Sequence, residues 1–190
     1  MILVLGTNNC LVTDFFINNN IKFIFTDEKI NTNFLIDNKV TLIISYRYRH
    51  IIKKNIIDLN IRIINLHISY LPWNKGADPN FWSIIENTTK GITIHYIDYG
   101  IDTGDIIYQK KFEFNHEETL SSTYKKLNYE IQQMFIDNFQ DIYENKCPRI
   151  SQIENAGNHH FSKDKEKFLE KITNNGGWEI TIKKLLEIIN

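Results

Sequence analysis

The sequence predicts an α/β protein built on an open, doubly wound, mostly parallel sheet, and three observations carry that prediction. Short Ile/Leu/Val runs recur at "ILVLG" (2–6), "IKFIF" (21–25), "VTLIIS" (40–45) and "IRIINLH" (61–67). Near-continuous apolar runs of this kind suit strands covered on both faces. The segments between them, near 11–18 and 50–58, have the length of short helices, which gives the alternation expected of a layered α/β domain. Two further strands, 91–98 and 105–114, are joined by the tight "YGIDTG". A connection that short implies an antiparallel hairpin, so the sheet turns mixed at this end.

A long helix is expected from about 117 to 144. "NHEETL" offers an asparagine cap with acidic residues in the first turn. Leu127, Ile131, Phe135 and Phe139 recur at fourfold spacing behind it. After Pro148 the chain turns polar, "SQIENAGNHHFSKDKEKF", before an amphipathic close, "WEITIKKLLEII". The expected organisation is a domain over 1–148 and a C-terminal appendage over 149–190, packed on that domain or at a dimer interface.

The totals narrow the function classes. The chain has 190 residues, is 42% hydrophobic and 24% charged, and carries a net charge of -1. That composition is globular, and without a basic excess it argues against holding a nucleic-acid backbone. No apolar run reaches the ~18–20 residues of a membrane-spanning helix, and the N-terminus lacks the basic start of a signal peptide. Cys10 and Cys147 lie far apart and match no disulfide or paired metal-ligand spacing. A cytoplasmic protein with reduced thiols and no metal is the expectation.

The chemistry gathers in "NLHISYLPWNKGADPNFW" (65–82). Alternate strand residues share a face, so Asn65 and His67 point the same way, roughly 7 Å apart at the end of a strand. Ligands of open α/β sheets bind at that edge. Capping of the strand is the plainer reading of the pair. The proline- and glycine-bearing loop that follows looks shaped rather than slack. Trp73 and Trp82 are core residues or ligand contacts, and Lys75 is a surface charge or a ligand contact. Asp102 lies between Gly100 and Gly104 in "DYGIDTGDI", as an Asx-turn or as a carboxylate brought close to another loop. Read from Asp98, the spacing does not fit a calcium loop. His95 is read as structural, and His159–His160 as a surface or ligand-adjacent turn.

These residues carry a resemblance. "NLHISYLPWNKGADPNFW…GITIHYIDYGIDTGDII" resembles the formyltransferases that use 10-formyltetrahydrofolate, in which an Asn-x-His strand end, a loop and an aspartate in a Gly-rich turn recur. The resemblance implies a Rossmann-like sheet and Asn65, His67 and Asp102 as the catalytic set. "SYRYRHII" (45–52) occupies the place where relatives hold the pterin, which implies Tyr46, Tyr48 and Arg49, with Gly100 and Ile101, as folate contacts. The loop is similar to that of the short sugar N-formyltransferases. That implies a nucleotide-linked amino-dideoxysugar as acceptor, O-antigen or other surface-glycan assembly as the setting, and commonly a homodimer. Position in the loop implies Ser69, Trp73, Asn74, Lys75, Gly76, Asp78, Asn80 and Trp82 as substrate contacts, with a tryptophan stacking on base or sugar. Asn65 is reached early, which implies a trimmed N-terminal half, and "LGTNNCLV" is no dinucleotide fingerprint. The competing expectations are a formyltransferase for another small amine, such as glycinamide ribonucleotide, and a relative that binds nucleotide sugars without turnover.

Overall fold

The computed structural model describes residues 1–189. Its order is β1 (Ile2–Gly6), α1 (Leu11–Asn18), β2 (Phe23–Thr26), α2 (Thr32–Asp37), β3 (Leu42–Tyr46), α3 (Lys54–Ile57), β4 (Arg62–His67), β5 (Lys75–Gly76), α4 (Pro79–Ile85), β6 (Lys90–Tyr96), β7 (Ile106–Phe112), α5 (Leu120–Asp137), α6 (Phe139–Glu144), β8 (His159–His160), α7 (Glu166–Asn174) and α8 (Ile182–Ile189). The main sheet has the order β2-β1-β3-β4-β6-β7. Strands β1 to β4 pair in parallel, and β6 runs antiparallel to both β4 and β7.

The apolar runs form two-sided strands, as their composition requires. Val4, Leu42, Ile44, Ile64 and Leu66 face a core with α1 and α5, through Phe16, Leu127, Ile131 and Phe135. Leu3, Leu5, Ile43 and Ile63 face the opposite core with Leu35 and Ile56. Each fully buried side chain of this size contributes about 1.5–3 kcal/mol. Packing therefore carries β4, whose last residues leave the apolar run at Asn65 and His67.

Three local features differ from the sequence reading. The helix expected over 117–144 is two helices that meet at Asn138, which closes α5 and opens α6. Its cap is Thr119, whose hydroxyl accepts from the Ser122 amide at 3.0 Å. Asn115 instead closes the turn before it, accepting from the Glu117 and Glu118 amides. Helix α2 was not anticipated; at six residues it is too short for periodicity to register, although Asn31 caps it by accepting from Phe34 N. Helix α4 lies inside the stretch read as loop. Pro79 opens it, the first-turn position that proline suits because its missing N–H is not needed there.

The C-terminal segment is woven into the same body. Its β8 pairs with β5, and Ile150 bridges Ile106. A third apolar cluster joins Phe81 and Trp82 of α4, Leu120 of α5, and Ile172, Ile180, Ile182 and Leu185 of the segment. Among the described residues, no helix is long and apolar enough to cross a membrane.

Candidate active site

Strand register builds the site. In the antiparallel pair of β4 and β6, Asn65 stands opposite His95 and His67 opposite Thr93, so these side chains share one face of the sheet. The turn between β6 and β7 then brings Asp102 over them. Asn65 Nδ2 lies 3.3 Å from Asp102 Oδ1 and 3.2 Å from His95 Nε2. His67 Nε2 is 3.7 Å from Asp102 Oδ2, and His95 Nε2 is 3.4 Å from Oδ1.

Asp102 is held as an acceptor. Its backbone has φ 53, and Gly76 N donates to Oδ2 at 2.8 Å. Gln152 Nε2 secures the turn through the carbonyls of Asp102 and Gly104. A Cβ at Gly104 would lie 2.0 Å from the Tyr96 carbonyl, so this turn admits only glycine there. The Asx-turn role falls to Asp98, which accepts from Gly100 N and the Thr103 hydroxyl. That leaves the Asp102 carboxylate for the site.

Electrostatics define the protonation states. Burial opposes the charge on Asp102 and is outweighed by the imidazoles of His67 and His95 and by the Gly76 amide, which hold its carboxyl below the usual carboxylate range. Burial pushes the His67 imidazole below its ordinary value despite Asp102, so the ring is neutral near pH 7. His67 Nε2 faces two acceptors, Asn74 O at 3.2 Å and Asp102 Oδ2. A neutral ring so placed carries its proton on Nε2. Nδ1 then holds a lone pair with no hydrogen-bond partner among the described residues.

The cluster lies in a cavity of about 520 Å³. Tyr46, Tyr48, Arg49, Gly100 and Ile101 line it together with Asn65, His67, His95 and Asp102. Tyr46 and Tyr48 do so with committed hydroxyls: Tyr46 donates to Asn128 Oδ1 at 2.8 Å and Tyr48 to Glu28 O at 2.7 Å. Of the loop residues, Gly76 and Asp78 reach this wall. Asp78 and Asn80 line a second cavity of about 610 Å³ that adjoins it.

Among the expected substrate contacts, Ser69, Trp73, Asn74, Lys75 and Trp82 line neither cavity. The Ser69 hydroxyl donates to Trp73 O. Asn74 is buried, donates to the Thr88 hydroxyl and accepts from Asn158. Lys75 Nζ donates to Ala156 O. Trp82 is 4% exposed and stacks on His160 with centroids 3.8 Å apart. Trp73 is 39% exposed but away from both cavities. Ser69 and Asn74 turn inward because polar groups of a buried loop need partners there, whereas Trp82 Nε1 and Asn80 Oδ1 are buried with none among the described residues. Asn80 Nδ2 donates to Leu120 O and the Thr123 hydroxyl.

His95, read as structural, stands in the cluster itself. The alternation of "GITIHYID" puts Thr93 and His95 on one face, but only the pairing with β4 shows that this face meets Asn65. The tandem histidines form β8, where His159 pairs with Lys75 and His160 with Gly76. No group of three or more His, Cys, Asp or Glu side chains among the described residues is arranged to hold a metal ion.

The fold and this cluster define a class. Residues 17–138 match the formyl transferase family, and the chain belongs to it. It is 42% identical to the formyltransferase PseJ of Anoxybacillus kamchatkensis, with a TM-score of 0.90 over 100% of this chain and 99% of that one. The structure of PseJ was determined in complex with UDP-4,6-dideoxy-4-formamido-L-AltNAc and tetrahydrofolate. A 4-N formyltransferase from Francisella tularensis is 27% identical with a TM-score of 0.75, over 88% of this chain and 78% of that one. Among curated relatives, the methionyl-tRNA formyltransferase of Halothermothrix orenii is 36% identical over 104 residues, 54% of this chain and 33% of its own length. That of Fusobacterium nucleatum subsp. nucleatum is 36% identical over 122 residues, 61% of this chain and 39% of its own length. The chain thus spans well under two thirds of these tRNA-enzyme relatives.

Proposed function

We propose that this chain is a sugar N-formyltransferase that moves a formyl group from 10-formyltetrahydrofolate to the amine of a nucleotide-linked amino-dideoxyhexose. The observation that carries the reading is the meeting of Asn65, His67 and Asp102 at one cavity in a chain similar to PseJ over its whole length. The cavity suits the folate: donors and a carboxylate lie at its floor, and Ile51, Ile52, Ile97 and Ile101 line its walls.

The folate, when bound, supplies the formyl carbon on a nitrogen leaving group. The chain's residues handle charge and protons. His67 Nδ1 takes the proton that the attacking amine sheds, and Asp102 balances the resulting imidazolium. The protonated ring can then return a proton to the departing nitrogen. Asn65 Nδ2 donates to the oxygen on which negative charge develops. Its present contacts to His95 and Asp102 are both longer than 3.1 Å, and a nearby oxyanion is a stronger acceptor than an imidazole nitrogen.

A mass-spectrometric end-point assay tests the reading, with 10-formyltetrahydrofolate and a panel of UDP- and dTDP-linked 3-amino and 4-amino dideoxyhexoses beside glycinamide ribonucleotide. One sugar should gain a formyl group, and Asn65→Ala should lower that rate by about 10²–10³. Turnover of glycinamide ribonucleotide alone would overturn it. Cytoplasmic surface-glycan assembly, such as O-antigen synthesis, and a homodimer belong to the same proposal. Tyr129 and Tyr143, half exposed on α5 and α6, support the dimer, which light scattering would test.

A further inference from the structure

The two acceptors that face His67 Nε2 are both gripped from one stretch of the C-terminal segment. Gln152 Nε2 donates to the carbonyls of Asp102 and Gly104 at 2.9 and 2.8 Å. Asn158 brackets Asn74, whose carbonyl is the other acceptor. Its Oδ1 accepts from Asn74 N, its Nδ2 donates to Asn74 Oδ1 at 3.1 Å, and its carbonyl accepts from Lys75 N at 3.1 Å. Resting on the proposed function, we infer that Gln152 and Asn158 are positioning residues of the transfer, which hold Asp102 and Asn74 against His67 and so keep its proton on Nε2 and its Nδ1 open to the amine.

Both acceptors belong to backbone that needs outside support. Asn74 and Asp102 have φ of 54 and 53, a left-handed conformation that is uncommon for residues with a side chain. Asp98 ties Gly100 N and the Thr103 hydroxyl, and the carbonyls of Asp102 and Gly104 are left to Gln152. Gln152 Oε1, meanwhile, is buried with no hydrogen-bond partner among the described residues. Reversing the amide would aim that oxygen at two carbonyls, so the two donations and the unpaired oxygen come together. In stability they offset one another, which leaves the placement of the Asp102 turn as what this side chain supplies.

The stretch is tied at both ends. Ile150 exchanges both backbone hydrogen bonds with Ile106, at 2.8 and 3.0 Å. Ala77 N donates to His160 O at 2.9 Å. Between them, a Cβ on Gly157 would lie 1.8 Å from the Pro72 carbonyl, so the segment lies directly on the loop. Gln152 and Asn158 project from this anchored stretch, one toward each acceptor of His67.

The first readout is the tautomer of His67, from ring nitrogen chemical shifts of the full chain at a pH where the imidazole is neutral, with His67→Gln to assign the signal. The wild type should show the Nε2–H form. Gln152→Met keeps the volume and removes the donors; it and Asn158→Ala should each admit the Nδ1–H form. Because Gln152→Met also removes the unpaired oxygen, its melting temperature should stay within about 4 °C of the wild type, which separates positioning from stability. The second readout is kcat on the best sugar of the panel. Each variant should lower it about tenfold, the scale of one hydrogen bond, with 5-formyltetrahydrofolate affinity changed by less than about twofold. In an Asp102→Asn background Gln152→Met should lower kcat no further, since it acts through Asp102. Ser151→Ala removes a hydrogen bond to Asp105 one residue away and should change neither readout. A pure Nε2–H ring in both variants, or a Gln152→Met loss that adds in full to that of Asp102→Asn, would overturn the inference. A wild type that formylates no sugar would overturn the proposed function instead, and the tautomer, read without substrate, would still decide this inference.

Discussion

Replacing Asp102 by asparagine removes one charge while keeping the shape of the side chain. Gly76 N donates to Oδ2 at 2.8 Å, so the new amide must turn its carbonyl toward Gly76 and its NH₂ toward the Oδ1 position. The NH₂ there faces His95 Nε2, 3.4 Å from Oδ1, and replaces an oxygen that accepts from Asn65 Nδ2 at 3.3 Å, so that hydrogen bond is given up. The fold should tolerate Asp102→Asn at the cost of about 1 kcal/mol for that bond. What is lost is the partner of the His67 imidazolium, whose Nε2 lies 3.7 Å from Oδ2. With an effective dielectric of about 20, one charge pair at that distance is worth about 4.5 kcal/mol. If the ring is charged only in the transition state, this corresponds to about a thousandfold in kcat. Because Asp102 raises the His67 pKa, the acid limb of the rate profile should also move to lower pH. The assay is formyl transfer to the best sugar of the panel, followed by mass spectrometry across pH, with thermal melting as the check on folding. A well-folded variant whose kcat falls by less than about tenfold would refute the assignment of His67 as the proton acceptor balanced by Asp102.

Other measurements probe the supporting structure. The folded-state pKa of His67 lies below its ordinary 6.5 and that of Asp102 below 3.8, so the unfolded chain binds more protons and stability rises with pH. The His67 share should be intact above about pH 6.5 and lost progressively below it. Urea midpoints at pH 7.5 and 5.5 should differ more for the wild type than for His67→Gln, and equal differences would contradict the sign. Gly76→Ala combines a φ of 87 with a Cβ 2.3 Å from the His160 carbonyl. It should cost at least about 1–3 kcal/mol, and by moving the amide off Asp102 it should depress kcat; wild-type turnover would show that this hydrogen bond is dispensable. Leu185→Ala empties a fully buried position and should lower stability by about 2–5 kcal/mol in a single cooperative transition. Two separable transitions would make the C-terminal segment a body of its own.

Sequence alone determined the sheet and the Asn65–His67 pair on it. Strands buried on both faces need unbroken apolar runs, so β1, β3 and β4 could be read directly, and strand alternation put Asn65 beside His67 at an edge where ligands bind. The short turn between β6 and β7 marked the antiparallel end and singled out Asp102. Only tertiary structure decided which side chains join them. His95 enters because β6 pairs with β4 in one register, and alternation within β6 carries no information about its partner. Ser69 and Asn74 turn inward because a buried polar loop must satisfy its own hydrogen bonds, a requirement set by what covers it, and Trp82 turns inward to stack on His160 and join the apolar cluster of the C-terminal segment. Lys165 and Trp178 reach the second cavity from a segment whose local sequence looks like solvated surface. Local periodicity records which face a residue shares with its neighbours in the chain. What lies opposite that face is settled by the packing of segments far apart in sequence, where apolar burial outweighs local preference.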